Sequence, residues 1–266
     1  MSPRPFRDWY PYYWKLLKTF RNAPRLISAF RVGAPAAQAV FWDGSRLVHP
    51  PHRAGLVETI IEVWWMGSYT RDEWPTPFYV PRDGDVVLDI GANVGLFGLW
   101  LARRNPRCRV VAIEPFEENF DCLRANIRHQ RASSVSAHRL ALGRQAGMGR
   151  MVARGDRSLD HLLATDQEEA EGQAVPIIPL SGLCDLAGVD RVSLLKIDVE
   201  GAEYDAFAAA DEDTLRRFDR IALEYHDNIR PGTLELLKAK LAATHDLTIC
   251  PCEPDLGTLL AVRKAS

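Results

Sequence analysis

The 266-residue sequence predicts an α/β fold: a doubly wound, mostly parallel sheet with an antiparallel terminal strand, preceded by an N-terminal cap of helix and hairpin. Three observations carry that reading. Short apolar runs alternate with segments of helical period from residue 86 onward. The first run, Val86-Val87-Leu88, passes through Asp89 into a turn bearing Gly91 and Gly95. The last two runs, over 247–251 and 258–262, are joined by the polar stretch 253–257, as in an antiparallel hairpin.

Size and composition allow one core. With 47% hydrophobic residues the chain suits a single sheet domain over 81–266 and a cap over 1–80. The net charge of −2 is unevenly spread: residues 1–31 hold seven Lys/Arg against Asp8 alone, a surplus of six that leaves the remainder near −8. A basic arm therefore precedes an acidic body, which gives no continuous track for nucleic-acid phosphates. Five cysteines, odd in number and scattered, predict reduced thiols, and Cys250 and Cys252 lack the partners a zinc site needs. No apolar run approaches the roughly 20 residues that span a bilayer. These features predict a cytoplasmic protein.

Trp9, Tyr12, Tyr13, Leu16, Leu17 and Phe20 recur at helical spacing and predict an amphipathic helix from near Pro11. Its aromatic face is expected to dock on the domain, and its basic character offers a second reading as a peripheral membrane contact. Asp43-Gly44-Ser45 between two apolar triplets predicts a hairpin, and 56–66 a helix closed by Gly67. A proline-rich link over 75–81 leads to the sheet. There the spacing predicts strands over 86–88, 109–113, 135–142, 175–180, 192–197 and 220–223. Helices are predicted over 96–104, 116–129, 182–187 behind a Ser181 cap, 204–218 and 231–244. Residues 143–172 read as a variable insertion over the site, with 158–163 its one short element and His161 a candidate substrate contact.

The glycine turn decides between two ligands. A dinucleotide frame laid on Gly91 needs glycine at Asn93 and Leu96 as well, so two of its three positions fail. What remains is D-x-G-x-N-x-G, whose Asp89 offers a carboxylate beside the turn to a cationic ligand, pointing to S-adenosylmethionine. Glu114 follows one strand-helix-strand unit later, where a carboxylate takes both hydroxyls of a ribose. Two further charged clusters emerge from buried strands, Lys196-Ile197-Asp198-Val199-Glu200 and Glu224-Tyr225-His226-Asp227. A buried strand carries such groups only with partners.

Taken together, DIGANVG (89–95), AIEPFEENFDCLRANI (112–127), LLKIDVEGAE (194–203) and ALEYHD (222–227), with EVWWMGSY (62–69) before them, resemble the FkbM-type family of S-adenosylmethionine-dependent methyltransferases. The likeness covers about 40–262 and implies a Rossmann-like class I methyltransferase sheet. It further implies that Asp89, Gly91, Ala92, Asn93 and Gly95 meet the methionine part, with Glu114 and Pro115 at the ribose. Asp198 and the residues after it, Glu200 among them, would form the wall where methyl meets acceptor. Family members act mostly on hydroxyls of sugars, lipids or polyketides, so a small-molecule, sugar or lipid-linked acceptor is expected. His226, at the end of the fifth strand, is expected either as the general base or as a structural imidazole paired with Glu224 or Asp198. Glu62, Tyr69 and Glu224 are expected on the acceptor side, under the cap. Asp198, Glu200, Glu224 and His226 could alternatively hold a divalent ion, a reading disfavoured because Lys196 neutralises part of the cluster. The rival functions are a degenerate methyltransferase fold serving as a scaffold and a nicotinamide-dependent oxidoreductase.

Overall fold

The computed structural model describes residues 6–71, 76–153, 161–164 and 172–265, with the side chains of 6–8, 152–153 and 161–164 outside the description. Its cap begins with α1 (Phe6–Thr19) and α2 (Ala23–Val32), then the hairpin β1 (Gln38–Val40) and β2 (Arg46–Val48) around Gly44 at φ 84°, then α3 (Leu56–Ile60). A π turn over Ile61–Trp65 continues α3, and Gly67 at φ 63° ends it. The sheet domain follows with β3 (Val86–Ile90), α4 (Leu96–Arg104), β4 (Arg109–Ile113), α5 (Glu117–Gln130) and β5 (Val135–His138). Next come β6 (Ala141–Leu142), β7 (Gly147–Ala153), β8 (His161–Ala164) and β9 (Gln173–Ile178), which form a separate four-stranded sheet. The chain re-enters the main sheet through α6 (Leu183–Ala187) and β10 (Leu194–Ile197). It ends with α7 (Glu203–Ala209), α8 (Glu212–Leu215), β11 (Arg220–His226), α9 (Thr233–Leu241), β12 (His245–Glu253) and β13 (Leu256–Arg263).

The main sheet runs β12-β13-β11-β10-β3-β4-β5, parallel throughout except where β13 inserts antiparallel between β11 and β12. From β3 the chain winds outward through β4 and β5, then returns to β10 on the other side of β3. That reversal places a crevice at the carboxyl ends of β3 and β10, where open α/β sheets bind ligands. All five residues of β3 are buried, because helices cover both faces. Leu88, Ile113, Leu195 and Leu223 face Phe207, Leu237 and Leu241 on one side; Val87, Val110, Leu194 and Ala222 face Phe97, Trp100 and Leu101 on the other.

The cap has its own apolar cluster, yet that cluster is completed by the sheet domain. Leu16, Phe20, Leu26, Leu47 and Ile60 pack with Val94, Leu96 and Leu99. Asn126 of α5 pins the hairpin, accepting from Val48 N–H at 2.6 Å and donating to the carbonyls of Val48 and Val94. The aromatic face of α1 therefore docks as expected: Trp9 meets Phe30 edge-on at 4.9 Å between ring centres, and Leu16 and Phe20 are fully buried. Leu17, grouped with that face by spacing, is exposed.

Several elements differ from the periodicity. Helix α1 begins at Phe6 and carries Pro11 inside rather than at its start. The run 135–142 divides at Arg139-Leu140, its end joining the smaller sheet as β6. The run 143–153 holds a seven-residue strand, hidden because Gly147 and Gly149 leave the face of the buried Met151 without other apolar side chains before it. Residues 154–160 and 165–171, and the side chain of His161, lie outside the described residues. The helix expected over 204–218 is two, interrupted at Ala210; Asp211 restarts it by accepting from Thr214 N–H at 2.9 Å. Strand β11 continues through Glu224 and Tyr225 to His226 because β13 pairs with it along its whole length.

Candidate active site

Two groups of residues meet in the crevice. At the ends of β3 and β4, Gly91 has φ 70°, and a Cβ there would lie 1.7 Å from the Asp198 carbonyl oxygen. Only glycine lets the turn pass this close to the end of β10. Asn93, at φ 51°, donates its N–H to Glu114 Oε2 at 2.8 Å, and Phe116 N–H donates to Glu114 Oε1 at 3.0 Å. The Asn119 side chain also hydrogen-bonds Glu114, so the carboxylate is locked in place from three sides. Burial pushes Glu114 up to about 7, against the downward pull of those two N–H groups.

Glu114 lines a cavity of about 570 Å³, counted out to its open mouth, with Gly91, Asn93, Pro115, Asp198 and Glu200. Its apolar wall is Ile113, Leu140, Ala141, Leu142 and Met151. The insertion therefore contributes to the site through β7, anchored where Met151, Ala141 and Val175 pack on Phe116.

Asp89, Ala92 and Gly95 stand outside that lining. Asp89 is fully buried; Oδ2 accepts from Gly98 N–H at 3.2 Å, and Oδ1 lies 3.2 Å from Lys196 Nζ. The ammonium it meets is the protein's own. A Cβ on Gly95 would come 2.4 Å from Leu123 Cδ1, so this glycine serves the approach of α5 to the turn.

The second group comes from the ends of β10 and β11. Lys196 Nζ donates to Gly91 O at 2.7 Å and Ile90 O at 3.3 Å, sits 4.0 Å from Asp198 Oδ2, and lies 5.1 Å from the centre of the Tyr69 ring. Burial would lower its pKa, but Asp89 and Asp198 outweigh that and keep it charged. It braces the glycine turn against β10. From the cap, Tyr69 donates its hydroxyl to Asp198 Oδ2 at 2.9 Å. Burial, then the charge of Asp198, holds that phenol protonated.

His226 is fixed from behind by Glu203, which is fully buried at the start of α7. Glu203 Oε1 lies 2.8 Å from His226 Nδ1 and accepts His226 N–H at 3.0 Å, while Oε2 accepts Gly201 N–H at 2.9 Å. The other ring nitrogen, Nε2, lies 3.5 Å from Glu200 Oε2. Glu200 itself has φ 50°, a left-handed backbone uncommon outside glycine and concentrated at functional sites. Burial alone would pull His226 down, but the hydrogen bond and charge of Glu203, with Asp198 and Glu200 beyond, raise it to about 10. Burial and Asp198 push neighbouring Glu224 up to about 8, and Glu62 adds to that rise.

Among the described residues, Asp198, Glu224 and His226 present ligand-type atoms within 4.8 Å of one another. Glu203 was not singled out by sequence reasoning, although it lies within the 194–203 motif, because nothing local says that it turns inward. Ala141, Leu142 and Met151 escaped for lack of any polar signal.

A sheet that reverses at β3/β10, takes an antiparallel strand between its last two parallel-running ones, and sets a buried acid beside a glycine turn defines a class I, S-adenosylmethionine-binding methyltransferase fold. All-parallel dinucleotide sheets lack the inserted strand. The chain belongs to the FkbM methyltransferase family, whose model, described as "Methyltransferase FkbM domain", matches residues 89–242.

Curated relatives agree. The chain is 29% identical over 165 residues to Methyltransferase 1 of Beauveria bassiana, covering 55% of this chain and 66% of that protein. It is 30% identical over 176 residues to the 31-O-demethyl-FK506 methyltransferase FkbM of Streptomyces tacrolimicus, covering 55% and 67%. It is also 30% identical over 241 residues to the AMB antimetabolite synthetase AmbE of Pseudomonas aeruginosa, covering 77% of this chain but only 11% of AmbE.

S-adenosylmethionine is the cofactor of this family, and the residues present fit it. Glu114 lines the cavity with its carboxylate fixed in place for a ribose diol, the apolar wall suits an adenine, and Gly91 opens the approach. No helix among the described residues is long and apolar enough to cross a membrane.

Proposed function

We propose that the protein is an O-methyltransferase acting on a hydroxyl of a small molecule, a sugar or a lipid-linked glycan, with His226 as general base. The observation that supports this most is the Glu203–His226 pair: a buried carboxylate holds Nδ1 at 2.8 Å, and Nε2 lies 3.5 Å from Glu200 Oε2, close to Asp198 and Glu224. A base oriented by a second group is the arrangement that proton removal from an alcohol needs. The relative named for 31-O-demethyl-FK506 is a methyltransferase of an oxygen position, which agrees with this reading.

In this account Glu114 binds the ribose hydroxyls, Asn93 and Pro115 flank them, and Gly91, with Ala92, Gly95 and Asp89 behind it, shapes the turn. S-adenosylmethionine, held there, would supply an electrophilic methyl group for the acceptor oxygen. His226 Nε2 takes the hydroxyl proton while Glu203 steadies the resulting imidazolium. Asp198 and Glu200 line the methyl side. The cap, residues 1–80 against a catalytic domain of 81–266, closes the acceptor side through Tyr69, with Glu62 and Glu224 nearby; excluding water there favours transfer over hydrolysis. Since His226 is raised to about 10, catalysis draws on its neutral fraction, and the rate should climb with pH well above neutrality.

The test is incubation of the protein with S-adenosylmethionine and a panel of hydroxyl-bearing sugars, polyketides and lipid-linked glycans, with products read by NMR. An O-methyl product supports the proposal. An N- or C-methyl product, or cofactor binding with no turnover on any acceptor class, overturns it.

A further inference from the structure

One face of α1 is used by the core; another is not. Tyr10, Trp14 and Leu17 follow one another at helical spacing and are 68%, 60% and 39% exposed, so they form a second apolar stripe beside the docked one. Trp42 at the hairpin tip, 64% exposed, extends it by donating its indole N–H to the Leu17 carbonyl at 3.4 Å. These are four of the eight large apolar side chains exposed among the described residues, gathered at one corner of the molecule.

The same corner is basic on balance, its exposed acid being Asp43, which follows Trp42 and accepts from Ser45 N–H at 2.8 Å. Lys18 Nζ lies 5.3 Å from the centre of the Trp14 ring, and the exposed Lys15 follows Trp14 directly. An open pocket beside the stripe is lined by Arg21, Arg46 and His129 together with backbone-rich Gly44 and Ser45. Its place is fixed relative to the stripe, because Arg21 N–H donates to Val40 O at 2.7 Å where α1 meets the hairpin, and Arg46 is the cross-strand partner of Val40. Amphipathic aromatic rings rimmed by cations match the chemistry of a bilayer interface: Trp and Tyr settle at headgroup depth, and each nearby Lys or Arg adds attraction to anionic lipid.

We propose that this corner seats on an anionic lipid surface, with Tyr10, Trp14, Leu17 and Trp42 entering the interface and the Arg21/Arg46/His129 pocket taking a lipid phosphate. The acid-rich body then faces away from the bilayer charge. This reading is independent of the acceptor and of the base assigned above.

The experiment is flotation of the full chain with vesicles of phosphatidylcholine alone and of phosphatidylcholine mixed with phosphatidylserine, at low and physiological salt. The intact protein should float with the anionic vesicles and not with the neutral ones. Trp14→Ser with Trp42→Ser, and separately Arg21→Glu with Arg46→Glu, should each weaken that partitioning by about tenfold or more. S-adenosylhomocysteine binding should be unchanged in both, which shows that the variants are folded. Failure to float with anionic vesicles, or equal flotation by the charge-reversed variant, overturns the proposal. So does a dimer in sedimentation that Trp14→Ser dissociates, which would make the stripe an interface between two copies of the chain.

Discussion

The two halves of the crevice are built from different materials. On the β3/β4 side, one carboxylate is held by two backbone N–H groups and the Asn119 side chain, and a glycine provides the clearance; most of the remaining wall is apolar. On the β10/β11 side, side chains hold side chains: Tyr69 on Asp198, Lys196 on Asp89, Glu203 on His226. The first half suits a cofactor whose shape never changes. The second gathers titratable groups displaced in pKa, as proton transfer requires. In this account the first half binds and the second reacts, and substitutions should separate the two.

The largest effect should come from breaking the boundary itself. Gly91→Ala puts a methyl into the Asp198 carbonyl at a left-handed φ, and should cost about 3 kcal/mol or more of stability and remove cofactor binding, read by thermal unfolding and calorimetry. A stable Gly91→Ala protein that still binds would show that the turn and β10 are not in contact.

Next in size is the reacting half. His226→Asn should lower kcat by about 10²-fold or more. The intact enzyme's pH–rate profile should keep rising through pH 8, as a base raised to about 10 demands, and the variant's profile should be flat. The same pair is visible in stability. Because the folded pKa lies above the unfolded one, its stabilisation is complete below about pH 6.5 and is lost as pH rises toward 10. The melting temperature of the intact protein should therefore fall more steeply over that window than that of His226→Asn. Activity restored to His226→Asn by magnesium would instead favour an ion at Asp198 and Glu224.

The binding half should respond more mildly. Glu114→Gln should weaken S-adenosylhomocysteine binding by about 1–3 kcal/mol, the worth of hydrogen bonds to a charged acceptor. Affinity of the intact protein should strengthen as pH rises through about 7, since the ionised carboxylate accepts both hydroxyls, by about tenfold from pH 6 to pH 8. Glu114→Gln should lose that dependence. Smallest of all, Tyr69→Phe removes one donor from Asp198 and should cost about 1 kcal/mol of stability with a several-fold drop in turnover.

The same contrast explains what was legible in the sequence. Gly91, Asn93 and Glu114 could be placed because a turn and a strand end are local: short-range spacing alone puts them at one edge of the sheet. Asp198, Glu224 and His226 could be named because charges do not end buried strands idly. Of their partners, Tyr69, 129 positions from Asp198, was expected on the acceptor side, whereas Glu203, 23 positions from His226 across two helices and a strand, could not be read. The role given to Asp89 went astray for the same reason: its carboxylate is close to the turn, but Lys196, from the neighbouring strand, already occupies it. Strand β7 was missed because glycines dilute its pattern, yet it supplies Met151 to the cavity.

The division between a binding half and a reacting half is tested most directly by titrating S-adenosylhomocysteine, side by side at pH 8, into the intact protein, Glu114→Gln and His226→Asn. The account predicts that Glu114→Gln binds about tenfold or more weakly, while His226→Asn stays within about twofold of the intact protein. Equal affinities for the intact protein and Glu114→Gln, or a loss of binding confined to His226→Asn, would contradict it.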